Sequence, residues 1–139
     1  MSDLLKPTPS IVYVEDDLPS RVIMNVLLGR IIKTSPFYIF EDSRDFLSRL
    51  AGLPFIPDIV LLDVQVTPDD GYTLLHLLRA ETRYANVKIV ASTASVTTAD
   101  VNRMQTAKFD GLIGKPLDLH TFMDSITRIM AGDAVWSTT

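Results

Sequence analysis

The sequence contains no cysteine, which excludes a disulfide framework, a thiolate nucleophile and a metal site built on cysteine sulfur. Long apolar runs are also missing: the longest, such as residues 59–62, are far shorter than the roughly eighteen residues that a membrane span requires. Residues 1–9 carry Asp3, two prolines and no extended apolar stretch, so they do not resemble a secretion signal. We therefore expect a cytoplasmic protein.

Clustered positive charge is missing as well. The thirteen Lys and Arg residues are scattered, and with seventeen Asp and Glu they give a formal net charge of −4. A nucleic-acid-binding domain usually shows a basic patch or stripe, so direct nucleic-acid binding is not expected. The 139 residues, of which 47% are hydrophobic and 22% charged, suit one globular domain.

Short β-branched runs alternate with amphipathic stretches along the chain. The strands are predicted at residues 11–14, 36–41, 58–62, 87–92 and 111–114. The helices are predicted at residues 18–32, after Ser43 as N-cap, at 72–81, at 98–108, and from Asp118 as N-cap to Gly132, which ends the last helix. Five strands alternating with five helices predict an α/β fold, a doubly wound five-stranded parallel sheet with helices on both faces.

The sequence also predicts the apolar face of the first helix and the limits of the domain. The first helix is predicted to bury one apolar face, made of Val22, Ile23, Val26, Leu27 and Ile31. The domain is predicted to cover residues 10–131, between an N-terminal extension at 1–9 and a flexible tail at 132–139.

Chemically active residues follow the predicted strands. Ligands of doubly wound sheets bind at the carboxyl ends of the strands, and these ends carry Glu15-Asp16-Asp17, Asp63, Ser92-Thr93 and Lys115-Pro116. Each acid taken alone is more often a helix cap or turn former, but their joint placement favours a site. Two unit charges about 4 Å apart repel by roughly 4 kcal/mol at an effective dielectric near 20. Glu15, Asp16 and Asp63 could therefore share a pocket as anions only if a cation joined them, and such oxygen ligands suit magnesium.

The segments that carry these residues are IVYVEDD, PDIVLLDVQVTPDDG, IVASTA and GKP. Together they resemble the receiver domain of two-component response regulators, over about residues 10–130. The resemblance implies a flavodoxin-like fold with strand order 2-1-3-4-5. Asp63 precedes Gly71 by the spacing that the family shows between its phosphorylated aspartate and the following glycine.

The resemblance also implies the roles of the acids. Asp63 resembles the phospho-acceptor, a carboxylate that becomes an aspartyl phosphate. Asp16 resembles the direct metal ligand, and Glu15 the acid that holds the metal through water. The backbone carbonyl of Gln65 and Asp63 itself complete the expected ligands of magnesium, for which manganese is an expected substitute. Asp17 is expected to start the first helix.

Two further residues are implied to contact the phosphoryl group. Thr93 resembles the hydroxyl that turns inward to a phosphoryl oxygen. Lys115 resembles the amine that pairs with Asp63 and then with the phosphoryl group, and the bond between Lys115 and Pro116 is commonly cis in the family.

The sequence departs from the family pattern at two places. Leu112 stands three positions before Lys115, where many receivers have an aromatic switch residue, and Phe109 or Tyr84 could take its place. In the loop after Asp63, Pro68 stands one position later than the usual proline.

The expected function is a phospho-acceptor switch rather than an enzyme, supplied by a sensor histidine kinase or a histidine phosphotransfer protein. Since about eight residues follow the last helix, we expect a single-domain regulator that signals through a partner protein, with a homodimer left open. A pseudo-receiver would usually lose an acid of the pocket. A haloacid-dehalogenase-type phosphohydrolase would need an acid at Gln65, and a flavodoxin-like FMN carrier would need a Ser/Thr/Gly-rich loop at residues 15–17.

Overall fold

The structure is a computed structural model that describes residues 8–34, 36–94 and 96–136. Its single described sheet has five parallel strands in the order β2-β1-β3-β4-β5, which confirms the predicted class and order. The strands are β1 (Ile11–Val14), β2 (Phe37–Phe40), β3 (Ile59–Asp63), β4 (Lys88–Thr93) and β5 (Gly111–Gly114).

Five α-helices connect and follow the strands. They are α1 (Leu18–Val26), α2 (Phe46–Ala51), α3 (Gly71–Arg79), α4 (Thr98–Ala107) and α5 (Leu119–Met130). A π-helical stretch, Leu27–Ile31, continues α1, and a short 3₁₀ helix, Thr82–Tyr84, follows α3. The side chains of Asp17 and Asp118 accept hydrogen bonds from the first turns of α1 and α5, which confirms both predicted caps.

The central strands are buried on both faces, as their near-continuous apolar runs predict. Because successive side chains of a strand point to opposite faces, the strands supply two cores. One core joins the sheet to α2, α3 and α4 through residues such as Phe46, Leu74, Leu78 and Met104. The other joins it to α1 and α5 through Met24, Leu28, Phe122, Ile126 and Ile129.

The predicted buried face of the first helix was wrong except at Leu27. The side chains that α1 and its π-helical extension bury are Met24, Leu27 and Leu28. The other four predicted residues are 39–54% exposed, namely Val22, Ile23, Val26 and Ile31. The helix carries apolar residues on two adjacent faces, and the pattern alone could not decide which one meets the sheet. The π-helical stretch also rotates the final turn relative to a regular helix.

Ser43 was also predicted wrongly as the N-cap of α2, a position that Asp45 occupies. Ser43 is fully buried, and its Oγ accepts a hydrogen bond of 2.7 Å from the backbone N–H of Asp69. Its own N–H donates to the carbonyl of Thr67 over 3.0 Å. Ser43 therefore ties the loop before α2 to the loop between β3 and α3.

The described part of the predicted tail packs against the edge of the sheet. Val135 is 2% exposed and forms a parallel bridge with Gly111. Its carbonyl accepts a hydrogen bond of 2.7 Å from the N–H of Leu112. Residues 1–7 and 137–139 lie outside the described residues, so the predicted outer boundaries of the domain stay predictions. Among the described helices, none is both long and apolar enough to cross a membrane.

Candidate functional site

Strand alternation brings three functional side chains to one face at the carboxyl edge of the sheet. Tyr13 and Leu61 belong to the core under α1 and α5, and so does Ile113. Two residues further along each chain segment stand Glu15, Asp63 and Lys115, which the period of two places on the same face. All three line a cleft of about 840 Å³, together with Asp16, Asp17 and Gln65 among other residues. The sequence prediction that these residues meet is thus matched by the geometry.

The three predicted acids form a tight cluster. One carboxylate oxygen each from Glu15, Asp16 and Asp63 can be chosen so that all lie within 4.8 Å of one another. Glu15 is fully buried and Asp63 is 5% exposed, whereas Asp16 lies exposed at the mouth of the cleft. Carboxylates this close repel unless a cation or a proton joins them. Their oxygen-only donor set fits a hard divalent ion such as magnesium.

Lys115 pairs with Glu15 in this structure. Its Nζ lies 2.7 Å from Glu15 Oε1 and 3.8 Å from Asp63 Oδ1. The same Glu15 oxygen accepts a hydrogen bond of 2.8 Å from the hydroxyl of Tyr13. The second oxygen, Oε2, accepts a hydrogen bond of 3.3 Å from the N–H of Asp17. Lys115, which the family resemblance pairs with Asp63, is therefore held mainly by Glu15 in this structure.

Burial and neighbouring charges shift the pKa values of Asp63 and Glu15 in opposite directions. Burial, followed by the contact with Glu15, raises the pKa of Asp63 to about 7. Burial also acts to raise the pKa of Glu15, but hydrogen bonds with Asp63, Lys115 and Tyr13 outweigh it and hold the pKa below its usual value. Burial opposes the charge on Lys115, yet the pairing with Glu15 and Asp63 raises its pKa. Below about pH 7 and without a cation, a proton on the cluster is therefore held mainly by Asp63, with the negative charge mainly on Glu15.

The loop between β3 and α3 is fastened to the cleft at Asp16 and Asp63. Asp16 Oδ2 accepts hydrogen bonds from the backbone N–H and the hydroxyl of Thr67, at 3.2 and 3.1 Å. The N–H of Gln65 donates to Asp63 Oδ1 over 3.2 Å. The position of the Gln65 backbone is therefore coupled to the Asp63 carboxylate, while the Gln65 carbonyl as a metal ligand stays a prediction.

Gly71 has a steric reason for its place after Asp63. A Cβ atom at Gly71 would lie 2.9 Å from the carbonyl oxygen of Asp63 and 2.9 Å from the Cα of Val64, closer than real Cβ atoms approach other heavy atoms. The N–H of Gly71 also donates to the Val64 carbonyl over 2.9 Å. The start of α3 thus packs directly on the backbone of Asp63 and Val64.

Thr93 lies on the other face of the sheet edge. Its strand neighbour Ala91 belongs to the core under α2, α3 and α4, and Thr93 lines a separate pocket of about 190 Å³ beside Tyr72 and Arg103. The predicted contact of its hydroxyl with a phosphoryl group therefore stays a prediction that requires the hydroxyl to turn toward the cleft.

The aromatic residue that lines the pocket beside Thr93 is Tyr72 of α3 rather than a residue of β5. Leu112 is fully buried in β5. Phe109 makes an edge contact with Tyr72 at 5.6 Å between ring centroids, and the guanidinium of Arg103 lies 4.0 Å from the Tyr72 ring. Tyr84, the other suggested substitute, is buried at the end of the 3₁₀ helix. Tyr72 was not predicted as part of this region, although it directly follows Gly71 in the sequence.

Two cis peptide bonds flank the cleft. The bond between Lys115 and Pro116 is cis, in agreement with the resemblance, and so is the bond between Thr67 and Pro68, which was not predicted. The contact of Tyr13 with Glu15 was not predicted either. Because side chains two residues apart in a strand lie on the same face, the sequence spacing of Tyr13 and Glu15 could have indicated it.

Comparison with known proteins agrees with this geometry. The family model described as the response regulator receiver domain matches residues 11–127. The chain is 26% identical over 125 residues to the Fimbriae Z protein of Salmonella typhimurium, covering 89% of this chain but only 58% of that protein. It is 26% identical over 128 residues to the polar-differentiation response regulator DivK of Brucella ovis, covering 91% and 99% of the two chains.

A solved structure shares the fold. The receiver domain of a sensor histidine kinase from Pseudomonas aeruginosa, solved with a magnesium ion coordinated in its active-site cleft, matches with a TM-score of 0.76 at 20% identity. That match covers 88% of this chain and 98% of the solved one. The strand order, the acidic cleft and the family match over most of the chain lead to one conclusion: this chain belongs to the family of response regulator receiver domains.

Proposed function

We propose that this receiver accepts a phosphoryl group on Asp63 in a magnesium-dependent reaction and signals to a partner protein by a change of conformation. The observation that carries the proposal is the position of Asp63. It is buried in one cleft with two other acids whose oxygens lie within 4.8 Å, and with the Lys115 amine at 3.8 Å.

The transfer is a substitution at phosphorus. A carboxylate oxygen of Asp63 forms the new O–P bond while the N–P bond of a phosphohistidine breaks, and its electron pair leaves with the imidazole. With acetyl phosphate as donor, the broken bond is the P–O bond and acetate leaves. Phosphoryl transfer depends mainly on positioning and on positive charge near the transferring oxygens. Lys115 supplies one such charge from the wall of the cleft.

The acidic cluster supports magnesium as the cofactor. Asp16 and Asp63 would hold the ion directly, with Glu15 acting through water and Gln65 through its carbonyl. When bound, magnesium would neutralise the phosphoryl oxygens and the carboxylates around them. The chain itself positions Asp63 through the Gln65 N–H and the close packing of Gly71.

Signalling requires a contact that exists in one state alone, and Thr93 is the proposed source. A hydrogen bond from its hydroxyl to the phosphoryl group would form only after transfer. A hydrogen bond to a charged group contributes about 1.5–3 kcal/mol. Such a differential contact shifts a two-state population roughly tenfold or more, so Thr93 would couple the cleft to the Tyr72–Arg103 side of the sheet.

The exposed apolar face of α1 supports docking of a histidine-bearing donor. Leu18, Val22 and Val26 are 61%, 54% and 39% exposed, and Ile23 both lies exposed on the helix and lines the cleft. A phosphohistidine must enter beside this helix to reach Asp63. A sensor histidine kinase or a histidine phosphotransfer protein that covered α1 would bury this apolar surface as it delivered the phosphoryl group.

The alternative functions are less well supported by the same residues. A haloacid-dehalogenase-type hydrolase needs an acid where Gln65 stands. A pseudo-receiver that serves only as an interaction module would not need the complete set of Glu15, Asp16, Asp63 and Lys115 that the cleft retains.

The direct test compares Asp63→Asn with the matched control Asp17→Asn. Both acids line the cleft, but Asp17 caps α1, a role that Asn fills equally well. With acetyl phosphate and magnesium, intact-mass spectrometry should show one added phosphoryl group on the wild type and on Asp17→Asn, and none on Asp63→Asn. A phosphoryl group retained by Asp63→Asn would refute the acceptor assignment.

A further inference from the structure

Tyr13 places a hydroxyl group in an otherwise apolar core. Its side chain is fully buried among the residues under α1 and α5, which include Met24, Leu28 and Phe122. A buried hydroxyl destabilises the fold unless it is hydrogen-bonded. Here the hydroxyl donates a hydrogen bond of 2.8 Å to Oε1 of Glu15, an acid of the cleft.

Glu15 Oε1 accepts from two donors at once. Lys115 Nζ lies 2.7 Å from this oxygen and the Tyr13 hydroxyl 2.8 Å from it. The other oxygen, Oε2, faces the N–H of Asp17 at the start of α1. Tyr13 and Lys115 therefore share one side of a carboxylate that has no exposed surface.

The two donors differ in their freedom to move. Tyr13 lies within β1, whose neighbours β2 and β3 pair with it on both sides, and its ring is enclosed by the core. Lys115 lies just beyond the end of β5 on a long side chain that is 16% exposed. The Lys115 amine is now 2.7 Å from Glu15 and 3.8 Å from Asp63, and in the proposed reaction it would turn from Glu15 toward a phosphoryl group on Asp63.

The departure of Lys115 would remove one of the two donors from a buried carboxylate oxygen. A buried charge that loses its hydrogen-bonding partners is strongly destabilised. We infer that Tyr13 is a positioning residue whose hydroxyl keeps Glu15 Oε1 bonded and in place when Lys115 moves to the phosphoryl group. This inference rests on the proposed function, because it assigns Tyr13 a part in the phosphorylated state.

The Tyr13 hydroxyl should therefore contribute more to stability after phosphoryl transfer than before it. Before transfer, Oε1 retains Lys115 if the Tyr13 hydroxyl is removed. After transfer, Oε1 would have neither donor. Tyr13→Phe should therefore weaken the phosphoryl-bound state while leaving the binding of magnesium alone nearly unchanged.

The experiment titrates magnesium alone, and then beryllofluoride at saturating magnesium, by isothermal titration calorimetry. Beryllofluoride occupies the place of a phosphoryl group on an aspartate. For Tyr13→Phe we expect magnesium affinity within about twofold of wild type and beryllofluoride affinity about tenfold weaker, as loss of one hydrogen bond to a charged group implies. Tyr38→Phe, which removes the hydroxyl of a half-exposed tyrosine on β2, should change neither affinity.

The other possible results refute either the role of Tyr13 or the proposed phospho-acceptor function. Equal weakening of magnesium and beryllofluoride binding would show that Tyr13 holds Glu15 for the metal in both states, and an unchanged beryllofluoride affinity would show no role at all. Either result refutes the inference while the proposed function stands. Failure of the wild type to bind beryllofluoride would instead refute the proposed function. Thermal unfolding followed by circular dichroism checks that Tyr13→Phe, which keeps the ring in the core, remains folded.

Discussion

Asp63 is the residue at which function and stability oppose each other. Its pKa rises from an ordinary 3.8 to about 7 in the folded protein, chiefly because it is buried and then because Glu15 is adjacent. Between pH 4 and 7 the folded state therefore keeps a proton that the unfolded state has lost. By linkage, the free energy of unfolding falls as the pH rises through this window, and the loss is complete above about pH 7.

Asp63→Asn should therefore stabilise the protein at high pH in the absence of metal. Each tenfold difference in proton affinity corresponds to about 1.4 kcal/mol, so the expected gain at pH 8 is on the order of 2–4 kcal/mol. Below pH 4 the gain should vanish, because the wild-type carboxyl is then neutral in both states. Urea unfolding with EDTA at the two pH values measures this difference, with the exposed Asp133→Asn as control. An equal gain at both pH values would contradict the assignment of the buried charge to Asp63.

Gly71→Ala tests the close packing of α3 on the backbone of Asp63, the proposed acceptor. The added Cβ would lie 2.9 Å from backbone atoms of Asp63 and Val64, so the loop must shift. We expect a loss of about 1–3 kcal/mol in the free energy of unfolding, as for other overpacked sites, together with weaker magnesium binding. Gly52→Ala is the matched control, because its Cβ would meet its nearest atoms at 3.5 and 3.7 Å. Wild-type stability and magnesium affinity in Gly71→Ala would show that the backbone tolerates the contact.

At the scale of elements, α1 serves the core with one face and leaves a second apolar face uncovered. Met24 and Leu28 pack under the sheet, while Val22 and Val26 stay 54% and 39% exposed. Apolar side chains exposed beside a cleft are typical of a surface that another protein covers. The same helix therefore both packs in the core beneath the site and carries the proposed docking face next to it.

The double substitution Val22→Asp with Val26→Asp should slow phosphotransfer from a protein donor but not from a small-molecule donor. Since both side chains are exposed, the free energy of unfolding should change little. Phosphotransfer from a histidine-phosphorylated phosphotransfer protein that labels the wild type should slow by at least tenfold, whereas labelling by acetyl phosphate should stay within about twofold. Ile56→Asp, an equally exposed site near the opposite end of the strands, is the control. Unchanged transfer from the protein donor would rule out docking on α1.

At the scale of the whole molecule, the sequence was sufficient to predict the sheet and the edge of the sheet at which the acidic cleft lies. The buried runs at residues 11–14 and 59–63 indicate central parallel strands, and strand alternation then carries Glu15 and Asp63 to one face. Gly71, Asp17 and Asp118 were also predictable, because close backbone approach and helix capping depend on local residue type.

Side-chain choices that depend on tertiary packing were not predictable in the same way. The α1 sequence supports two apolar faces, and only the assembled core shows that Met24 and Leu28 are buried. Ser43 suits an N-cap locally, but its partner Asp69 is distant in sequence. The pairing of Lys115 with Glu15 rather than Asp63 follows from distances of 2.7 and 3.8 Å that no local pattern contains.

The central claim is that Asp63 becomes phosphorylated in a magnesium-dependent reaction, and borohydride reduction tests it most directly. Borohydride reduces an aspartyl phosphate to homoserine, which peptide mass spectrometry can locate in the sequence. After treatment with acetyl phosphate and magnesium, we predict homoserine at position 63, and none when EDTA replaces magnesium. Homoserine at Asp16 or Asp17, 2-amino-5-hydroxypentanoic acid at Glu15, or labelling that persists in EDTA, would contradict the account.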